Sequence, residues 1–156
     1  MGFFFNLQNR FFNAFRELVV HHHSSLSFRA KTFALVIAAD HKASVENYIL
    51  VKQYGLDVYK NDENRANLLA LSTKELVQKV KDNNGLYLDT LVTNIQKELK
   101  NVPRYAHKID IPALEKLIEL SYDEDTITYQ RSILRFLGEL KEETLSPKKK
   151  GVNISK

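Results

Sequence analysis

Residues 27–39, SFRAKTFALVIAA, constrain this chain more than any other stretch, because they read as one helix whose FALVIAA half is apolar nearly all the way round. A helix without a polar face cannot lie on a surface and has to be enclosed by other elements. Those elements are predicted to be helices as well. Only 5 Gly and 3 Pro punctuate the 156 residues, and no segment shows a convincing strand pattern. Leu88, Leu91, Val92, Ile95 and Leu99 repeat at i, i+3, i+4 in a stripe that ends before Pro103. A chain of this length buries about two thirds of its unfolded surface, which suits one domain.

Helix boundaries follow from capping residues. Ser27 is the expected N-cap of the enclosed helix, and Ser44 that of a second, with Val45, Tyr48, Ile49 and either Val51 or the Lys52 stem facing inward and Gly55 as its C-terminal cap. A helix over about 62–71 comes next. Ser72-Thr73-Lys74-Glu75 has the form of a capping box that opens another, through Asp82. Asn83-Asn84-Gly85 is a turn, and Asp110 caps a helix with Pro112 in its first turn and Leu114, Leu117, Ile118 and Ser121 on one side. Thr128 is the expected cap of a last helix reaching Leu140 or a little beyond. The fold expected is all-α, a compact array of seven to eight helices. Residues 1–24 form a Phe-rich amphipathic helix and connector, 25–143 the helical domain, and 144–156 a basic disordered tail.

Two segments repeat. IAADHKASVENYIL (37–50) and YDEDTITYQRSIL (122–134) align at a constant offset of 84 residues, Asp40 with Glu124, Ser44 with Thr128 and Ile49-Leu50 with Ile133-Leu134. The match predicts two helix–loop–helix units related by a pseudo-twofold axis. AADHKASVEN resembles the loop of the tellurite-resistance TerB family and of its relative at the N-terminus of membrane-anchored DnaJ-like co-chaperones. In that family an apolar helix ends Ala-Asp-Gly, followed by a small apolar residue, a Ser or Thr cap and an acid. Here Asp40, Ala43, Ser44 and Glu46 fit, with His41 in place of Gly. YDEDTITYQR fits less closely, with Glu124 for the Asp, Asp125 for the Gly, Thr128 for the cap and Gln130 for the following acid. LVTNIQKELKNVPR resembles the family's central helix. The resemblance covers about residues 27–141 and implies an all-helical fold, a stress-response role linked to toxic oxyanions, and association with membrane proteins. It also implies a metal site at the acidic loops, against which the loss of both glycines and one acid counts.

The residues themselves allow two accounts of these loops. Short polar side chains and carboxylates favour turns and helix N-termini for local reasons, which suffices to explain them. Alternatively, Asp40, Glu46 and Glu124 meet through the pseudo-twofold, with Asp123 or Asp125, and their hard oxygens hold Ca²⁺ or Mg²⁺ in a sensor or metal-dependent enzyme. An EF-hand is excluded, because Thr128 and Leu134 stand where Gly and Glu are required. His21-His22-His23 cannot all face one ion, and the chain has no Cys, so no spaced zinc motif exists. No Gly-rich phosphate loop, G-x-S-x-G or H-E-x-x-H is present, and no enzyme is expected.

Charge and termini address partners. The net charge is +4, and Lys148, Lys149, Lys150 and Lys156 account for it within an acid-free tail, leaving the domain neutral. Nucleic acid is therefore not the expected partner. Phe4, Leu7, Phe11, Phe15 and Leu18 form one helical stripe near the N-terminus. It either packs on the domain or docks through Phe4, Phe11 and Phe15 on a protein partner or an anionic membrane surface. Nothing resembles a signal peptide or a membrane-spanning run. The expectation is a cytoplasmic, non-enzymatic, TerB-like interaction and stress-response module at the inner membrane face.

Overall fold

The computed structural model describes residues 25–83 and 86–146, which among themselves form helices and turns and no strand. Six α-helices follow in order: α1 (Ser25–Ala38), α2 (Val45–Val58), α3 (Glu63–Asp82), α4 (Leu86–Asn101), α5 (Ile111–Ile118) and α6 (Glu124–Leu145). A 3₁₀ helix, Pro103–Lys108, joins α4 to α5. The expected all-α fold is observed. The Phe-rich segment with Phe4, Phe11 and Phe15, the His run and the Lys tail lie outside the described residues.

The all-apolar helix is the hub. α1 packs against α3, α4, α5, α6 and the 3₁₀ helix. Phe28, Ala30, Ala34, Leu35, Val36 and Ile37 are all buried, and one core joins them to Leu69, Leu91, Ile95, Leu114, Leu117 and Leu137. The amphipathic helices supply that core from the faces their spacing indicates. In α4 these are Leu91, Ile95 and Leu99, and in α5 Leu114, Leu117 and Ile118. Lys31, on the least enclosed side of α1, pairs with Glu98 of α4.

Several expected boundaries move. Ser25 and Leu26 are already helical, so Ser27 is a buried residue inside α1 rather than its cap. The Ser72–Glu75 capping box opens nothing, because α3 runs unbroken for 20 residues. The hydroxyls of Ser72 and Thr73 donate instead to the carbonyls of Leu68 and Leu69, four residues back, which satisfies them within a continuing helix. Gly55 lies within α2, which continues to Val58. The turn that follows takes positive φ at Lys60 and Asn61, 55° and 65°. α2 meets the expectation in part, since Val51 is buried and Tyr48 packs half-buried against the core. Asn47, Val51 and Gly55 are its buried positions, while Val45 and Ile49 are 67% and 49% exposed. Asp123, not Thr128, caps α6, and that helix extends into the expected tail, where the Thr144 hydroxyl donates to Leu140 O at 2.7 Å.

Candidate functional site

The two loops meet. Residues 40–47, between α1 and α2, and residues 120–126, between α5 and α6, line one cleft of about 620 Å³. Asp40, His41, Lys42, Ser44, Glu46 and Asn47 face Leu120, Tyr122, Asp123 and Thr126 across it. Of the residues expected to hold a cation, Asp40 and Glu46 are in the cleft, while Glu124 is exposed in the first turn of α6 and is not among its lining. Asp123, considered as an accessory acid, takes its place.

Asp40 is 9% exposed, and hydrogen bonds engage both of its carboxylate oxygens. Oδ1 accepts from the Lys42 backbone N–H at 2.9 Å and shapes the turn. Oδ2 accepts from the Ser121 hydroxyl at 3.1 Å, which ties the first loop to the second. The same hydroxyl lies 2.8 Å from Gln130 Oε1, and its single proton is shared between the two acceptors. Gln130 is wholly buried, and its Nε2 donates to Val36 O at 3.0 Å in the last turn of α1. The chain Asp40–Ser121–Gln130–Val36 therefore fastens both loops to the central helix.

The caps differ between the two loops. Ser44 occupies the N-cap position of α2, but its side chain makes no cap bond to a helix N–H; the hydroxyl donates to the Glu46 carboxylate instead. Asp123 accepts from Thr126 N at 2.9 Å and from the Thr126 hydroxyl at 3.0 Å. Those two bonds, with Lys42 across the cleft, hold the fully exposed Asp123 carboxyl below its ordinary value of 3.8. A depressed folded-state value stabilises the fold above the unfolded value and loses that contribution as pH falls through the folded one. Asp123→Asn, whose cap does not titrate, is expected to melt below wild type at neutral pH. The two melting temperatures should converge as acid protonates Asp123, and parallel profiles from pH 7 to about 2 would count against this cap.

Among the described residues no three His, Cys, Asp or Glu side chains lie close enough to hold one metal ion. The arrangement offers a mixed-charge cleft with exposed side chains at its edge. Tyr122 is 99% exposed, and Val45 sits between the lining residues Ser44 and Glu46. A second cleft of about 410 Å³ lies between α2 and α5, lined by Phe33, Leu50, Tyr54, Asp57, Asp110 and Lys116 among others, and Asp40, Glu46 and Glu124 are not among its lining residues. Ser121 was legible only as part of an inward stripe; its hydrogen bonds to Asp40 and Gln130 span 81 and 9 residues and have no local signature. No family model, no curated protein and no solved structure matches the chain.

Proposed function

We propose that the protein is a non-enzymatic interaction module that binds a protein partner at the cleft between its two loops. The observation that carries the reading is Tyr122, 99% exposed at that cleft, with the exposed apolar side chains of Val45 and Ile49 on the adjoining face of α2. A solvated tyrosine beside a cleft is the kind of anchor that dominates binding energy once covered. Glu46, Asp123, Glu124 and Asp125 are exposed around it, against Lys42 and His41, so the partner segment that fits is apolar with basic flanks. The TerB-like reading, with the two units as pseudo-twofold copies, belongs to this proposal. It is supported by the all-helical fold and by the meeting of the two loops. Docking on the inner membrane face through Phe4, Phe11 and Phe15 rests on the sequence alone. Among the described residues no helix is long and apolar enough to cross a membrane.

The test uses the full chain as bait, with Tyr122→Ala and Val45→Asp beside wild type. Each variant is expected to keep its stability within about 0.5 kcal/mol, since neither side chain is packed. Tyr122→Ala should weaken binding to the captured protein by at least about 30-fold, which is the loss of a hot-spot residue. A partner retained equally by both variants would place the interface elsewhere.

A further inference from the structure

The cleft between the two loops has a complement in the chain itself. Tyr122, 99% exposed, and Val45, 67% exposed, give the cleft an apolar edge. Glu46 stands beside Val45 and Asp123 beside Tyr122, and Glu124 and Asp125 follow in the first turn of α6. These four acids are all exposed. Glu46 and Asp123 take hydrogen bonds from Ser44 and Thr126, but none of the four belongs to an ion pair among the described residues. Asp40 lies behind them with both oxygens already engaged, and the basic side chains in the lining are Lys42 and His41. An edge of this kind fits an apolar segment with cations on either side.

Residues 150–156, KGVNISK, have that pattern. Successive side chains of an extended segment point to opposite sides, so residues two apart share one. Lys150, Val152, Ile154 and Lys156 are spaced by two. An extended segment would carry them on one side in the order basic, apolar, apolar, basic, over about 20 Å. Lys148 continues the same side, and residues 144–156 hold no acid to oppose the match.

Reach decides whose cleft can take the segment. The cleft lies at the start of α6, and the segment follows the end of that helix. α6 has 22 residues, so its two ends are about 32 Å apart. Val152 comes seven residues after Leu145 and spans at most about 25 Å from it when fully extended, before any allowance for reversing direction. Val152 therefore falls short of the cleft of its own chain, whereas the cleft of a second copy sets no such limit.

We propose that residues 148–156 of one copy dock in the loop cleft of another, with Val152 and Ile154 against Tyr122 and Val45 and the lysines toward the exposed acids. The proposal rests on the loop cleft being the docking surface, and it names the partner there as a second copy of this chain. Each copy gives one segment and receives one, so association builds a chain of copies or closes into a ring. A segment this short covers less than a standard interface, and the assembly is weak and concentration-dependent.

Sedimentation equilibrium of the full chain from about 10 µM to about 1 mM, the span of weak dissociation constants, tests this. The average mass should rise with concentration, and fall when salt is raised from about 0.05 M to about 0.5 M, which screens the exposed charges. Tyr122→Ala removes the receiving side and Val152→Asp/Ile154→Asp the donating side. Each should associate at least about 30-fold more weakly than wild type, with circular dichroism as the control for the fold. Mixed in equal amounts, the two variants should pair again and stop at the dimer, because one keeps an intact segment and the other an intact cleft. A wild-type chain that stays monomeric throughout, association undiminished in either variant, or a mixture that does not pair overturns the proposal. A monomeric wild type whose capture of a different protein is lost in Tyr122→Ala would overturn it and leave docking at the cleft standing. If Tyr122→Ala changes neither self-association nor capture, both fall.

Discussion

Replacing Gly55 by Val is expected to destabilise the protein by at least about 3 kcal/mol, at the upper end of what overpacking costs. A Cβ at Gly55 would stand 2.9 Å from the Cα of Ala66, 3.1 Å from its Cβ and 3.4 Å from Leu69 Cδ2. The nearest atom is backbone, so no side-chain rotation relieves the overlap. α2 and α3, which pack extensively against each other, would have to separate. Gly55→Ala sets a helix-propensity gain of about 1 kcal/mol against the same overlap. A net loss of about 1–2 kcal/mol is expected, because the first methyl already meets the Ala66 backbone. Ala66→Gly in the Gly55→Ala background takes away the Ala66 methyl but leaves the backbone behind it in the way, so it should restore only part of the loss. Urea unfolding followed by circular dichroism reads all three variants. A stable Gly55→Val protein would mean that α2 can slide on α3, and with it the first loop.

The same glycine shows where the sequence was legible and where it was not. α4 and α5 carry their inward faces as Leu and Ile at helical spacing, and the structure buries those faces. α1 has no polar face, and enclosure was its only outcome. The inward face of α2 is Asn47, Val51 and Gly55. Only Val51 of the three carries an apolar side chain, so Val45 and Ile49 counted in the stripe with it and Tyr48 although they point outward. The inner face was hidden because a close helix approach selects for the absence of a side chain. Ser72-Thr73-Lys74-Glu75 misled for a related reason. The same hydroxyls that cap a helix can bond back to the i−4 carbonyl, and burial of Ser72 and Thr73 beside Leu69, Leu76 and Val77 decides between the two. For the candidate site, the internal repeat placed the two loops as related turns and the structure brings them together. The repeat did not show that Asp123 is the cap or that Glu124 stays out of the cleft.

Gln130 aligns with the acid Glu46 at the 84-residue offset of the internal repeat, and the structure gives a reason for a neutral amide there. The side chain must accept at one end, from Ser121 at 2.8 Å, and donate at the other, to Val36 O at 3.0 Å, inside a site with no solvent access. A carboxylate could not donate to Val36, and a buried charge would be added beside Asp40. Gln130→Met keeps the length and removes both polar ends. It leaves a carbonyl in the last turn of α1 without its amide partner, and a loss of about 2–3 kcal/mol is expected. Gln130→Ala adds a cavity and should cost roughly 3–5 kcal/mol. Gln130→Glu at neutral pH should be less stable than Gln130→Met and recover as acid protonates the new carboxyl, the sign expected of a group whose folded-state pKa is raised by burial. A double-mutant cycle with Ser121→Ala isolates the hydrogen bond from the packing, and a coupling of about 1 kcal/mol would assign it to the network. The same bonds hold Asp40 and Ser121 in place at the back of the cleft, so Gln130→Met should weaken partner binding without touching an exposed residue. A Gln130→Met protein of full stability and unchanged binding would mean that packing of α6 on α1 positions the loops, and that the buried hydrogen bonds only satisfy the groups they join.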